Sequence, residues 1–172
     1  MVKLLQGIDH IIDQNEGKKG IIHTVNYTVA AYVLANSKHK KLFLTHKTGD
    51  REEKINQFLS TEKTWLVSPS VMTGLDAPFD LCEVQIICKC PFENQGDEQV
   101  ARRMKEDPDW YDLTTVFMLT QAYGRAMRDR WDFGETVILD SNFSWFYRKT
   151  QDYFPPWFQE AVINIKNYPL SI

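Results

Sequence analysis

Apolar residues at positions 2, 4, 5, 8, 11 and 12 recur at close to helical spacing, so Val2–Gln14 is predicted to be a helix with one apolar stripe. Gly17 and Gly20 break the pattern, and beyond them stripes give way to short solid runs. Residues 21–25, 41–45, 64–67, 84–88 and 136–139 read as strands, because they are too short for stable helices and rich in β-branched and aromatic residues. Between them lie helical stretches. Residues 27–34 follow Asn26 as a cap; residues 50–59 are predicted to start from a cap at Asp50, with Glu52 and Glu53 in the first turn; residues 113–129 form a long helix. Apolar strands alternating with helices imply crossover units. The expected fold class is α/β, a mostly parallel sheet with helices on both faces, whose ligands bind beyond the carboxyl ends of the strands.

Two stretches depart from this rhythm. Residues 93–109, ENQGDEQVARRMKEDPD, are polar with charges of both signs, and are predicted to be a surface excursion with one short helix at 98–105. After Asp140, residues 142–149 read as a helix that Phe154-Pro155-Pro156-Trp157-Phe158 stops, turning aromatic residues back onto the core. Trp145 and Trp157 either pack there or stack on a base. The expected organisation is a single domain over 1–172, with 1–18 a lead-in helix and 144–172 a helical and aromatic extension.

With 172 residues, 43% of them hydrophobic, the chain can bury a real core and is not a disordered or fibrous sequence. Lys and Arg number 20 against 23 Asp and Glu, a net charge of -3, so no general basic field gathers nucleic acid and any such contact has to be local. Cys82, Cys88 and Cys90 offer neither a disulfide framework nor zinc spacing, and His10, His23, His39 and His46 form no ligand motif; no metal is expected. Without a leader or an apolar run near 18 residues, no membrane contact and a cytoplasmic location are the default.

Candidate chemistry concentrates in residues 121–140, QAYGRAMRDRWDFGETVILD. On a helix Gln121, Gly124, Arg125 and Arg128 fall at i, i+3, i+4 and i+7, three long polar side chains on one face with a gap at the glycine. Paired guanidinium forks suit phosphate oxygens, although cations in a last helical turn also simply complement the helix dipole. A second set comes from strand ends: Thr24 and Asn26 after the first, Thr45, His46 and Lys47 after the second, Ser68 and Ser70 after the third. In a parallel sheet these emerge on one edge, where neutral donors and helix N-termini hold phosphate or merely cap helices. No G-x-x-x-x-G-K-[ST] loop and no acidic box following a strand is present; GKKG at 17–20 is too short and precedes its strand.

The pattern Q-x-x-G-R-x-x-R at Gln121, Gly124, Arg125 and Arg128 resembles the last conserved motif of superfamily 2 helicases. With VSPSVMTGLDAP at 67–78 and GIIHTVNY at 20–27, it resembles the iron-sulfur helicase family that includes the xeroderma pigmentosum group D helicase and the bacterial damage-inducible helicase. The resemblance runs over roughly residues 19–143. It implies a RecA-like second motor domain, the C-terminal half of an ATP-dependent DNA helicase of repair type. Arg125 and Arg128 would be the catalytic arginines at the γ-phosphate. Gln121, Gly124, Gly74 and Asp76 would face the nucleotide, and Thr24, Asn26, Thr45, His46, Ser70 and Thr73 would contact single-stranded DNA. Thr73 stands where the family usually has a glutamate. ATP with Mg2+ would be bound jointly with a first motor domain, in cis or in trans, and the isolated chain is expected to be inactive. The family's iron-sulfur cluster belongs to that first domain, so none is implied here. The alternative is a noncatalytic nucleic-acid or protein-binding module that retains the fold.

Overall fold

Gly20 opens the central strand at a place where a side chain has no room: a methyl group built on it would lie 2.4 Å from the ring of buried Trp65 on the next strand. The computed structural model, which describes residues 1–47, 49–69, 82–124 and 134–163, has five strands, β1 (Gly20–His23), β2 (Phe43–Thr45), β3 (Trp65–Ser68), β4 (Val84–Ile87) and β5 (Glu135–Ile138). All pairings are parallel and the order is β2-β3-β1-β4-β5. The RecA-like α/β fold expected from the sequence is therefore the fold observed.

Alternation along the strands divides the core between two faces. Ile22, Trp65, Val67, Val84 and Ile86 meet α1 (Val2–Gln14) and α2 (Tyr27–Asn36), which contribute Ile8, Ile11 and Ile12, and Val29, Ala30 and Val33. On the opposite face Ile21 and Leu66 meet Phe58 of α3 (Arg51–Ser60). Ile87 packs there with Val116, Leu119 and Ala122 of α5 (Trp110–Tyr123), Phe146 of α6 (Asn142–Thr150) and Phe158 of α7 (Pro156–Ala161). The three isoleucines of α1 are at most 2% exposed, each worth about 1.5–3 kcal/mol of burial. The lead-in helix is thus part of the core. Its C-terminal half is also tied to the turn after α2, where Asp13 takes Lys38 Nζ at 2.6 Å and His39 Nε2 at 2.9 Å. Lys38 draws the Asp13 carboxyl below its usual range.

The polar stretch at 93–109 carries the expected short helix, α4 (Glu98–Glu106), with Asp97 accepting from Gln99 N and Val100 N and no residue buried. Five details differ from expectation. In place of the long helix expected over 113–129, α5 begins at Trp110 and its described part ends at Tyr123, with Gly124 as C-cap. The first strand ends at His23 instead of residue 25, because Val25 takes a positive φ of 65° to turn the chain toward α2. The predicted 41–45 strand is shortened to three residues, since Lys40–Leu42 forms a 3-10 turn. Asp50 occupies the cap position of α3 but makes no side-chain cap bond; its Oδ1 accepts instead from Lys47 N at 2.6 Å. The double proline starts a helix as well as ending one, with Pro156 in the first turn of α7, where its missing N–H costs nothing. Phe154 and Phe158 return to the core as expected, whereas Trp145 and Trp157 stay 59% and 48% exposed. No helix among the described residues is long and apolar enough to cross a membrane.

Candidate functional site

Parallel pairing sends the carboxyl ends of β1, β2 and β3 to one edge, and the register fixes who meets whom there. His23 pairs with Ser68 and Thr45 with Val67, so Thr24, His46 and Ser68 come together as the strands run out. Thr24 N donates to Ser68 O at 3.0 Å, carrying the β1–β3 ladder one residue past the strand. On the far side of β1, Cys88 N donates to His23 O at 2.9 Å and does the same toward β4. His46 Nε2 lies 2.6 Å from Ser68 Oγ. Thr24 and Ser68 are fully buried and His46 is nearly so, while the hydroxyl of Thr24 has no hydrogen-bond partner.

The exposed groups stand just above this layer. Thr45, Lys47 and Asn26 face outward. Asn26 Oδ1 accepts from Val29 N at 2.8 Å, so the side chain caps α2 and presents its amide nitrogen as the remaining donor. The residue that aims this cap is Val25, a β-branched residue held at φ 65°, a conformation that costs on the order of 1–3 kcal/mol. Strain of this kind at a strand-to-helix turn marks a place where position matters more than stability. The first turn of α2 has no acidic residue, so its free N–H groups and dipole remain available to an anion. The first turn of α3 holds Glu52 and Glu53 and offers no such site.

Of the nucleotide-facing candidates, Gln121 is exposed on α5 and Gly124 is its C-cap, with an ordinary helical φ of -61°. A methyl at Gly124 would approach Thr120 O at 3.4 Å, a close but tolerable contact, so the glycine is not demanded by the turn. Arg125, Arg128, Gly74, Asp76, Ser70 and Thr73 lie outside the described residues.

Lys19 of GKKG is occupied structurally. Its Nζ donates to Leu59 O at 3.1 Å and sits over the Phe58 ring at 4.5 Å, and burial lowers its pKa. The cysteines are free and buried, and burial pushes each thiol up to about 12. Among the described residues no group of three or more His, Cys, Asp or Glu is arranged to hold a metal ion. One polar pair went unread in the sequence. His23 Nε2 lies 3.0 Å from Gln85 Oε1 inside the sheet, and both residues are fully buried. Its signal is Gln85 itself, a polar residue at the second position of an otherwise apolar strand.

A family model described as helicase C-terminal domain matches residues 18–161. Among solved structures, an XPD helicase superposes with a TM-score of 0.61 at 16% identity, covering 88% of this chain and 30% of the other. Domain 2 of the DEAD-box helicase Mss116p, bound there to an RNA duplex, gives 0.58 at 16% identity, with 87% and 54% covered. The C-terminal domain of the DEAD-box protein Dbp5 gives 0.60 at 13% identity, with 88% and 81% covered. The chain spans about a third of the XPD helicase it matches. No curated protein matches it.

Proposed function

Since this chain belongs to the helicase C-terminal domain family, we propose that it acts as the second motor half of an ATP-dependent DNA helicase. The observation that carries the reading is the shared carboxyl edge. Asn26, Thr45 and Lys47 stand exposed on one rim of a parallel sheet, beside an α2 N-terminus that carries no acidic residue, while Thr24, His46 and Ser68, two of which were expected to contact DNA, lie buried beneath them as its support. Such a rim holds phosphodiester oxygens with neutral donors, which suits a chain of net charge -3 and gives little base preference. In this reading Ser70 and Thr73, which lie outside the described residues, also contact the strand, and Gly74 and Asp76 contact the nucleotide.

ATP sits between this chain and a first motor domain that supplies the phosphate loop. Gln121 and Gly124 bring α5 to the nucleotide. Arg125 and Arg128 then offer planar forks to the γ-phosphoryl oxygens as charge spreads over them in the transition state. Mg2+ has no suitable ligand cluster among the described residues. Its ligands belong to the first domain in this reading, and no step on this chain runs through the ion. Turnover opens and closes the two halves along a single strand.

The test pairs this chain with a phosphate-loop motor domain, fused or separate, and measures DNA-stimulated ATP hydrolysis. The chain alone is expected to hydrolyse nothing. The pair is expected to turn over, and Arg125→Ala or Arg128→Ala to cut its rate by roughly 10³-fold or more. Arg→Lys also fails, because an ammonium keeps the charge and loses the fork. Near-normal turnover by a well-folded alanine variant overturns the assignment. The second reading is a noncatalytic nucleic-acid or protein-binding module that retains the fold: single-stranded DNA binding with no hydrolysis in any pairing would establish it.

A further inference from the structure

By alternation His23 and Gln85 share the sheet face of Ile21 and Ile87, and all four are buried. In the register of β1 against β4, Ile21 stands opposite Gln85 and His23 opposite Ile87. The bond between His23 Nε2 and Gln85 Oε1, at 3.0 Å, therefore runs diagonally, from the second residue of β4 to the last residue of β1. An apolar pair would suit these surroundings equally. A buried imidazole and a buried amide lose their hydration, and one hydrogen bond between them returns little beyond that loss, so the pair contributes little stability. It contributes direction. A hydrogen bond fixes where its two ends lie along the strands, whereas apolar contact tolerates a slide.

The residues just downstream depend on that end. His23 O accepts from Cys88 N at 2.9 Å, and Thr24 N donates to Ser68 O at 3.0 Å. Val25 then holds its φ of 65°, and exposed Asn26 caps α2 through Val29 N at 2.8 Å. A β-branched residue keeps a positive φ only where its surroundings over-determine it. On the helix side the turn is held by the cap. On the strand side it is held by His23, which is tied to β4 through its carbonyl and its ring at once. Releasing the ring lets the end of β1 twist and Val25 relax, and Asn26 turns with them.

We propose that His23 and Gln85 are positioning residues for Asn26. Their buried bond holds the end of β1, so that Val25 keeps its strained turn and the Asn26 amide stays at the height where a phosphodiester oxygen meets it. The inference rests on the reading of this edge as a surface for single-stranded DNA.

The full chain tests it with two readouts: hydrogen exchange at Val29 N, which reports the cap without any DNA, and fluorescence anisotropy on a labelled single-stranded oligothymidylate. His23→Leu with Gln85→Leu removes both polar groups together and is expected to stay folded. In that variant Val29 N is expected to exchange at least about fivefold faster than in wild type, and DNA to bind at least about fivefold more weakly, each the worth of one hydrogen bond. Adding Val25→Gly is expected to restore both readouts, because glycine holds φ 65° without strain and no longer needs the anchor. A pair that merely filled the core would gain nothing from that glycine. Should the leucine pair misfold, Gln85→Met removes the acceptor at nearly constant shape and carries the same two expectations. A folded variant whose Val29 exchanges at the wild-type rate, or that binds DNA as wild type does, overturns the proposal, and so does failure of the glycine to rescue. Wild type that binds no DNA overturns the reading of the edge, and the purpose given to the pair falls with it; the wild-type titration alone therefore tells the two failures apart.

Discussion

His46 Nε2 lies 2.6 Å from the hydroxyl oxygen of Ser68, and this contact joins the end of β2 to the end of β3 beneath the carboxyl edge of the sheet. Both side chains are buried, His46 at 7% exposure and Ser68 at 0%. Neither can therefore lie flat against a base; they set the height of the rim on which Thr45 and Lys47 stand. Ser68→Ala strands the imidazole nitrogen and is expected to cost about 1–3 kcal/mol in chemical denaturation. A double-mutant cycle with His46→Ala should show coupling between the two. Additive losses would mean that the contact contributes nothing of its own.

Asn26 separates capping from ligand binding. Its Oδ1 holds Val29 N at 2.8 Å, so Asn26→Ala is expected to lower stability by about 0.5–2 kcal/mol. Asn26→Ser keeps a cap and restores most of that loss. If the amide nitrogen donates to a DNA phosphate, Asn26→Ser still binds single-stranded DNA more weakly than wild type in fluorescence anisotropy. Wild-type affinity in the serine variant would confine Asn26 to its helix.

Gly20→Ala forces a methyl group to within 2.4 Å of the Trp65 ring, and neither strand can yield without disturbing its neighbours, since both are central. The expected loss is about 1–3 kcal/mol, read from the urea midpoint at unchanged slope. A variant as stable as wild type would show that Trp65 has room to turn.

Burial pushes the thiols of Cys82, Cys88 and Cys90 up to about 12, so at pH 8 all three are protonated and covered. Iodoacetamide is expected to label none of them in the native chain and all three in denaturant, where their pKa values return to near 8.5. The sign matters. Raising the pH toward 12 charges groups that the fold holds neutral, and stability falls over that range. Rapid native labelling at pH 8 would contradict their burial.

Much of this architecture was legible because burial on both faces of a parallel sheet leaves a simple trace. Leu66 sits in an uninterrupted apolar run, Ile21 and Ile86 sit in short runs broken only by His23 and Gln85, and Val2–Gln14 shows its isoleucine stripe directly. What failed to show was set by contacts between distant residues. The apolar run at 41–45 gave no sign that its first half would coil into a 3-10 turn. Asp50 carries the right chemistry for a cap, yet its carboxylate found Lys47 N first. At the candidate site, hydroxyls after strands could be placed on one edge from the parallel topology alone. Which of them would be buried could not, because the His46 contact depends on the register of β2 against β3.

Strand order has a consequence for how the chain is made. Gly20 must pair with Trp65 on one side and Val84 on the other, so the central strand is synthesised before either of its neighbours and waits for both. While the ribosome extends the chain, Ile22 has α1 and α2 to lean on, Ile21 still awaits Phe58 of α3, and neither has a strand to bond. Closure of such long loops makes for slow folding, and an unpaired apolar strand waiting for its neighbours is the interval in which a nascent chain aggregates or recruits a chaperone.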